Sequence, residues 1–236
     1  MQDVYFIFNN KKCTDMGVEI SEFPSLQHPE RRVKTIEVDG MDGSYTQDLG
    51  AYNTYKTSIE CVLNKLSRNA HSINEILKWL KGSGKLILST DPMKCYDARI
   101  ASAISVENVI WIFPEFKITF EVQPFRKSVN EFSDTIKTDE KKFRVFNKGD
   151  VSSRPIITLK GSGDITVNVN SNPYLLQGVT DSVTINSEMQ EVYNDTKSLN
   201  TLYKSIKFPE FQVGVNEFEV VGNVSEIEIK PNWRWF

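Results

Sequence analysis

Apolar and polar residues alternate most cleanly between Tyr55 and Asn64. Tyr55, Thr57, Ile59, Cys61 and Leu63 fall on one side. Lys56, Ser58, Glu60 and Asn64 fall on the other, with Val62 the one apolar intruder. A side-chain period of two predicts a half-buried β-strand rather than a helix. The same alternation predicts strands over Val4–Phe8, Lys11–Cys13, Gly17–Phe23, Lys85–Ser89, Tyr96–Val106 and Glu115–Val122, the last ended by Pro124. A helical period stands out once. Ile73, Ile76, Leu77 and Leu80 share a stripe behind a capping box at Ser72–Glu75, with Trp79 at the margin and Gly82 and Gly84 placed to stop it.

Residues Arg126–Asp139 are polar and weakly patterned, which predicts a linker. An all-β pattern then restarts, with strands over Phe143–Phe146, Pro155–Gly161, Ile165–Asn170, Tyr174–Gly178, Ser182–Asn186, Glu191–Tyr193, Glu217–Val221 and Val224–Lys230. Turns are expected at Gly161–Asp164, Asn172-Pro173 and Gly222-Asn223. Short strands at this spacing predict a sandwich or jelly roll. The chain therefore divides into domains 1–130 and 131–236.

Between the two most patterned regions of the first half lies an unusual loop. Asp39-Gly40-Met41-Asp42-Gly43 allows the positive φ angles of a tight reversal, so Asp39–Tyr52 reads as a long exposed hairpin tip. Tyr45 and Tyr52 on it are candidates for an intersubunit contact, because tyrosine is enriched at interface cores; packing within the loop is the alternative. Asp42 is grouped with them as a candidate interface residue.

Composition narrows the chemistry. An apolar content of 39% and a charged content of 25% describe a soluble globular protein. The apolar runs, such as Val109–Phe113, are too short to span a bilayer, and the opening Met1-Gln2-Asp3 predicts no signal peptide, hence synthesis in a cytoplasm. Lys and Arg total 14 against 16 acidic residues through Phe125, and 14 against 15 beyond it, so no basic face points to nucleic acid. Three cysteines with no CxxC pair read as inert core thiols. His28 and His71 lack further ligand groups nearby. Asp39, Asp42 and Asp48 alternate with Met41 and Gly43 where a calcium loop needs oxygen ligands. Gly161-Ser162-Gly163 reads as a turn rather than a phosphate cradle. The sequons at Asn194 and Asn223 carry no weight without secretion. Trp233, Trp235 and Phe236 suggest either a sugar-stacking platform or, the favoured reading, packing against the sandwich. No cofactor or metal is expected.

Several stretches together resemble the distal tail protein (Dit) of long-tailed phages, the siphovirus tail component family. They are the turn from Val38 to Ser44, the helix Ile73–Gly82 with Gly84–Pro92 behind it, Tyr96–Ile100 and the strand Phe116–Phe125. In the second half they are Arg154–Ile157, Gly161–Gly163, Thr184–Glu188, Glu191–Tyr193, Phe208–Phe211, Gly214–Asn216 and Pro231–Arg234. They occur in the family's order over nearly the whole chain.

The resemblance implies a mostly β fold: an N-terminal β-sandwich with one α-helix, followed by a galectin-like β-sandwich. It implies a structural virion protein of the phage tail, not an enzyme. The first domain would form a homo-hexameric ring. The whole would link the tail tube protein to the tail-tip (Tal-like) protein and to receptor-binding proteins, after synthesis in the host bacterial cytoplasm. Neither a membrane nor a sequence-specific nucleic acid is an expected partner. The alternative is a carbohydrate-binding module contacting the host cell wall. However, a galectin sugar site uses a histidine, and residues 140–236 contain none.

Overall fold

A computed structural model of the chain describes residues 4–24, 27–67, 69–101, 115–130, 134–195 and 197–236. The fold is mostly β with one α-helix among the described residues. Contacts divide it into two units, Met1–Val129 with Phe236, and Asn130–Trp235.

In chain order the first unit holds β1 (Phe6–Phe8), β2 (Lys11–Lys12), β3 (Val18–Glu22), β4 (Arg31–Ile36), β5 (Tyr45–Tyr52) and β6 (Tyr55–Leu63). It continues with α1 (Ala70–Trp79), β7 (Ser83–Leu88), β8 (Lys94–Ile100) and β9 (Glu115–Ser128). Seven of these strands form one sheet in the order β2-β1-β7-β8-β9-β6-β3, leaving β4 and β5 as a separate pair. Asn9 and Asn10 both take positive φ, as the two-residue turn between β1 and β2 requires.

The alternation of β6 is realised as read: Ile59, Cys61 and Leu63 are buried with Phe6, Phe8, Leu86, Leu88, Ile118, Phe120 and Val122. The opposite face stays polar, and its charges pair across strands. Lys117 meets Glu60 at 3.0 Å, Arg99 meets Glu121 at 2.6 Å and Lys127 meets Asp97 at 3.3 Å.

Helix α1 covers the apolar face. Its N-cap is Asn69, whose side chain accepts from the Ser72 amide at 3.0 Å; the helix starts before the expected Ser72 box because Asn69 caps as well as serine does. Trp79 is not marginal. It is 5% exposed, its ring stacks on Phe6 at 5.6 Å, and its indole N–H donates to the Phe8 carbonyl at 2.7 Å.

Three expected boundaries differ. Pro124 does not end β9, which runs on to Ser128. The pairing with β6 stops at Val122, and the register with β8 shifts between Tyr96 and Ala98. The missing amide of Pro124 therefore falls where no ladder bond is required. Strand β8 ends at Ile100, and the rest of the expected Tyr96–Val106 strand past Ala101, like the run Val109–Phe113, lies outside the described residues. Finally, Arg126–Asp139 is not a uniform linker. Arg126–Ser128 complete β9, and Ile136–Thr138 open the second unit's sheet as β10.

The second unit adds β11 (Lys142–Asn147), β12 (Ile156–Val169), β13 (Asn172–Val179), β14 (Ser182–Asn186), β15 (Glu191–Asn194), β16 (Lys197–Ser198) and β17 (Gly214–Lys230). The turns expected at Gly161–Asp164 and Gly222-Asn223 are absent as chain reversals. Each lies inside one long strand, β12 or β17. The two strands pair along their length with register shifts between Lys160 and Gly161 and between Ser162 and Thr166.

The shifts sit where the strands approach closest. A Cβ on Gly161 would lie 2.2 Å from the Asn223 carbonyl oxygen, and one on Gly222 would lie 2.7 Å from that of Asp164. The glycines thus permit a shared bulge that re-aims both strands. Along β17 the buried positions change from Asn216, Phe218, Val220 and Val224 to Ile227 and Ile229, a switch from even to odd. On one side of the bulge β12 pairs with β14, and on the other with β13. One core nevertheless collects residues from both halves, including Ile157, Leu159, Ile165, Val167, Phe218 and Ile229.

The hairpin into β13 turns at Asn170-Ser171, both at positive φ, rather than at Asn172-Pro173. Pro173 is tolerated near the start of β13, whose one ladder partner is β12 and whose other edge is met further along, by the bridge of Leu176 to Tyr203.

Candidate functional site

Strands β4 and β5 form a ribbon hydrogen-bonded to neither large sheet. A two-stranded ribbon is at best marginally stable in water by itself. Here most side chains of both strands are exposed. Residues 45–52, read above as part of a loop tip, are instead a strand, because β4 supplies a partner in antiparallel register. The true turn spans residues 37–44. The Met41 amide donates to the Val38 carbonyl at 3.1 Å, and Gly40 and Gly43 both take φ of 83°.

Register fixes the two faces. Ile36 pairs with Tyr45 and Lys34 with Gln47, whereas Thr35 pairs with Thr46, Val33 with Asp48 and Arg31 with Tyr52. Directly opposed residues share a face, and neighbours in sequence alternate. Arg32, Lys34, Ile36, Tyr45 and Gln47 thus project from one face. Arg31, Val33, Thr35, Asp48 and Tyr52 project from the other. A register shift between Arg32 and Val33 accommodates Leu49 and Gly50, and the Asp48 carboxylate accepts from the Gly50 amide at 2.8 Å.

The two tyrosines named from sequence therefore face opposite ways. Tyr52 is half-buried, its ring 5.1 Å edge-on from Phe125 and the Arg31 guanidinium 4.5 Å above it. It ties the ribbon to its own unit. Tyr45 is 59% exposed. Asp42 sits exposed in the turn. Sequence reasoning did not single out Val33, Val38, Met41 and Leu49, which are exposed apolar residues of the same ribbon. For Val33 the signal was its place in Arg31–Ile36, which acquires meaning only once β5 is known to be the partner strand; Val38, Met41 and Leu49 lie outside that run.

The other candidates settle into structural places. Trp233 is 4% exposed within the second unit's core, and the Trp235 indole donates to the Lys148 carbonyl at 3.1 Å. His28 and His71 are exposed, and no cluster of three metal-ligating side chains occurs among the described residues. Gly161 and Gly163 belong to β12. Asn223 lies in β17, while Thr196, which completes the Asn194 sequon, lies outside the described residues.

Cys13, Cys61 and Cys95 are buried thiols, and burial pushes those of Cys13 and Cys61 above their ordinary range. Because the thiolate is the reactive form, the folded protein is expected to resist maleimide at pH 7.5, with three thiols reacting once it is denatured. Labelling of the native protein within minutes, read by mass spectrometry, would contradict the burial.

No family model matches the chain, and no curated protein matches it in sequence. Solved structures do match it. The chain is similar to the crystal structure of phage SPP1 Dit (gp 19.1), described as a paradigm of the hub adsorption apparatus in phages that infect Gram-positive bacteria. The TM-score is 0.69 and the identity 11%, over 96% of this chain and 98% of that one. At that identity the likeness establishes the fold, and it is the distal tail protein fold that the sequence motifs pointed to.

Proposed function

We propose that the chain is a structural component of a phage tail hub, built as a six-fold ring closed through the first unit and carried in the virion. The observation that carries this reading is the fold shared with a hub protein over nearly the full length of both chains. The exposed ribbon supports the ring, because a sheet element left so largely uncovered invites a neighbouring copy. The polar face of the seven-stranded sheet, with its charges paired across strands, suits a surface past which DNA slides without being held.

The second unit, which we read as galectin-like, holds the tail-tip and receptor-binding proteins, and the ring itself meets the tail tube. The hub works without catalysis, cofactor or membrane, and it assembles in the host cytoplasm. Trp233 is buried in the core, so the carbohydrate alternative loses one of its three stacking candidates.

Negative-stain microscopy and mass photometry test the ring. Closed six-fold particles with an open centre are expected, alone or with the tube protein. Monomer at high concentration in the presence of the tube protein would overturn the proposal. Two substitutions separate the tyrosines. Tyr45→Ala should weaken assembly and leave folding intact. Tyr52→Ala should cost the first unit about 1–3 kcal/mol, the scale of two aromatic contacts, to Phe125 and Phe236, and one cation–π contact, read by urea unfolding.

A further inference from the structure

The ribbon carries its charges in segregated order. From Glu37 through Gln47 there are three acidic residues, Glu37, Asp39 and Asp42, and no basic one. Arg32 and Lys34, both cationic, share the face that also bears Ile36 and Tyr45. The ribbon's one ion pair among the described residues is on the opposite face, Arg31 with Asp48 at 3.6 Å, and none involves Lys34, Glu37, Asp39 or Asp42. The Arg32 guanidinium engages a neutral group, the Asn53 side-chain oxygen at 3.2 Å.

Resting on the ring reading above, we infer that the occupant of this uncovered face is a second copy of the chain. The acidic turn of one ribbon docks on the Arg32/Lys34 face of the next, with Ile36 and Tyr45 as the apolar centre of the contact. Three negative charges meet two positive ones, and the apolar pair supplies the buriable surface that charges alone do not. The turn and the receiving face are different surfaces of one ribbon. Every copy therefore gives one contact and receives another, which is the head-to-tail arrangement a ring demands. On the other face, Tyr52 packs against Phe125 of its own unit, and the Arg31–Asp48 pair at 3.6 Å answers its own charges.

Charge reversal in two halves tests this. In E37K/D39K/D42K both turn and face are positive, and in R32E/K34E both are negative. Each variant alone should need about tenfold or more protein for half-assembly, since like charges brought together at an interface are strongly unfavourable. Mixed in equal amounts, they restore opposite charges at every junction and should assemble as alternating rings at near wild-type concentration. Either variant assembling normally alone, or a mixture that stays dispersed, overturns the inference and leaves the ring reading standing. Wild-type protein that forms no ring under any of the conditions above removes both.

Discussion

Trp79→Ala is expected to remove about 3–5 kcal/mol from the first unit, the range for deleting a buried aromatic side chain. That is a large share of the roughly 5–15 kcal/mol by which domains are usually stable. Two losses combine. The indole is stacked on Phe6, which is itself edge-on to Phe120 at 6.0 Å, so its removal opens a void in the middle of the core. The Phe8 carbonyl also loses its 2.7 Å donor in a buried place. Trp79→Phe separates the two, because it keeps a ring against Phe6 and leaves only the carbonyl unpaired. It should cost about 1–3 kcal/mol, the penalty for a buried polar group without a partner. Urea unfolding followed by circular dichroism reads both variants. A loss below about 1 kcal/mol for Trp79→Ala would contradict the core placement.

In the second unit the largest effect is expected at Gly222. Its φ of 132° belongs to glycine alone, and a Cβ there meets a main-chain carbonyl that has no rotamer with which to move aside. Overpacking costs about 1–3 kcal/mol and the disfavoured backbone about 1–2 kcal/mol more, so Gly222→Ala should lose roughly 3 kcal/mol. Gly161→Ala carries the steric part alone. Gly163 supplies the control: its φ is 82°, but a Cβ there would have nothing within 4 Å, so Gly163→Ala should cost only about 1–2 kcal/mol. Thermal unfolding of the three variants should rank them Gly222, Gly161, Gly163 from most to least damaged. Equal losses would mean that close strand approach is not what selects glycine at the bulge.

Much of this fold was legible in local pattern. The period of two in β6 and in the first part of β9 named the buried faces correctly, because those strands have one apolar and one solvated side. The helix was legible for the same reason at its own period. Trp79, three residues after Ile76, was readable as a core position too, and only its proximity to the stop signal disguised it. What local pattern does not contain is the partner strand. Gly161 and Gly222 have turn composition, yet they sit where two strands crowd each other 61 residues apart. Pro124 has the composition of a terminator, yet it falls in a gap of the ladder set by strands β6 and β8. The ribbon shows the same effect at the candidate site. Tyr45 and Tyr52 look equivalent along the chain, and the register with Arg31–Ile36 is what turns one outward and commits the other to Phe125.

The unbroken course of β12 and β17 through their shared bulge has a mechanical consequence. No flexible connector joins the two halves of the second unit along these strands; the same two backbones belong to both. Tension applied to one half must shear a hydrogen-bond ladder that continues into the other, and shear loads many bonds together, whereas peeling breaks them one after another. For the hub proposed above, this wiring means that a pull on one half of the second unit reaches the other half as displacement of one stiff body, without slack to take up first.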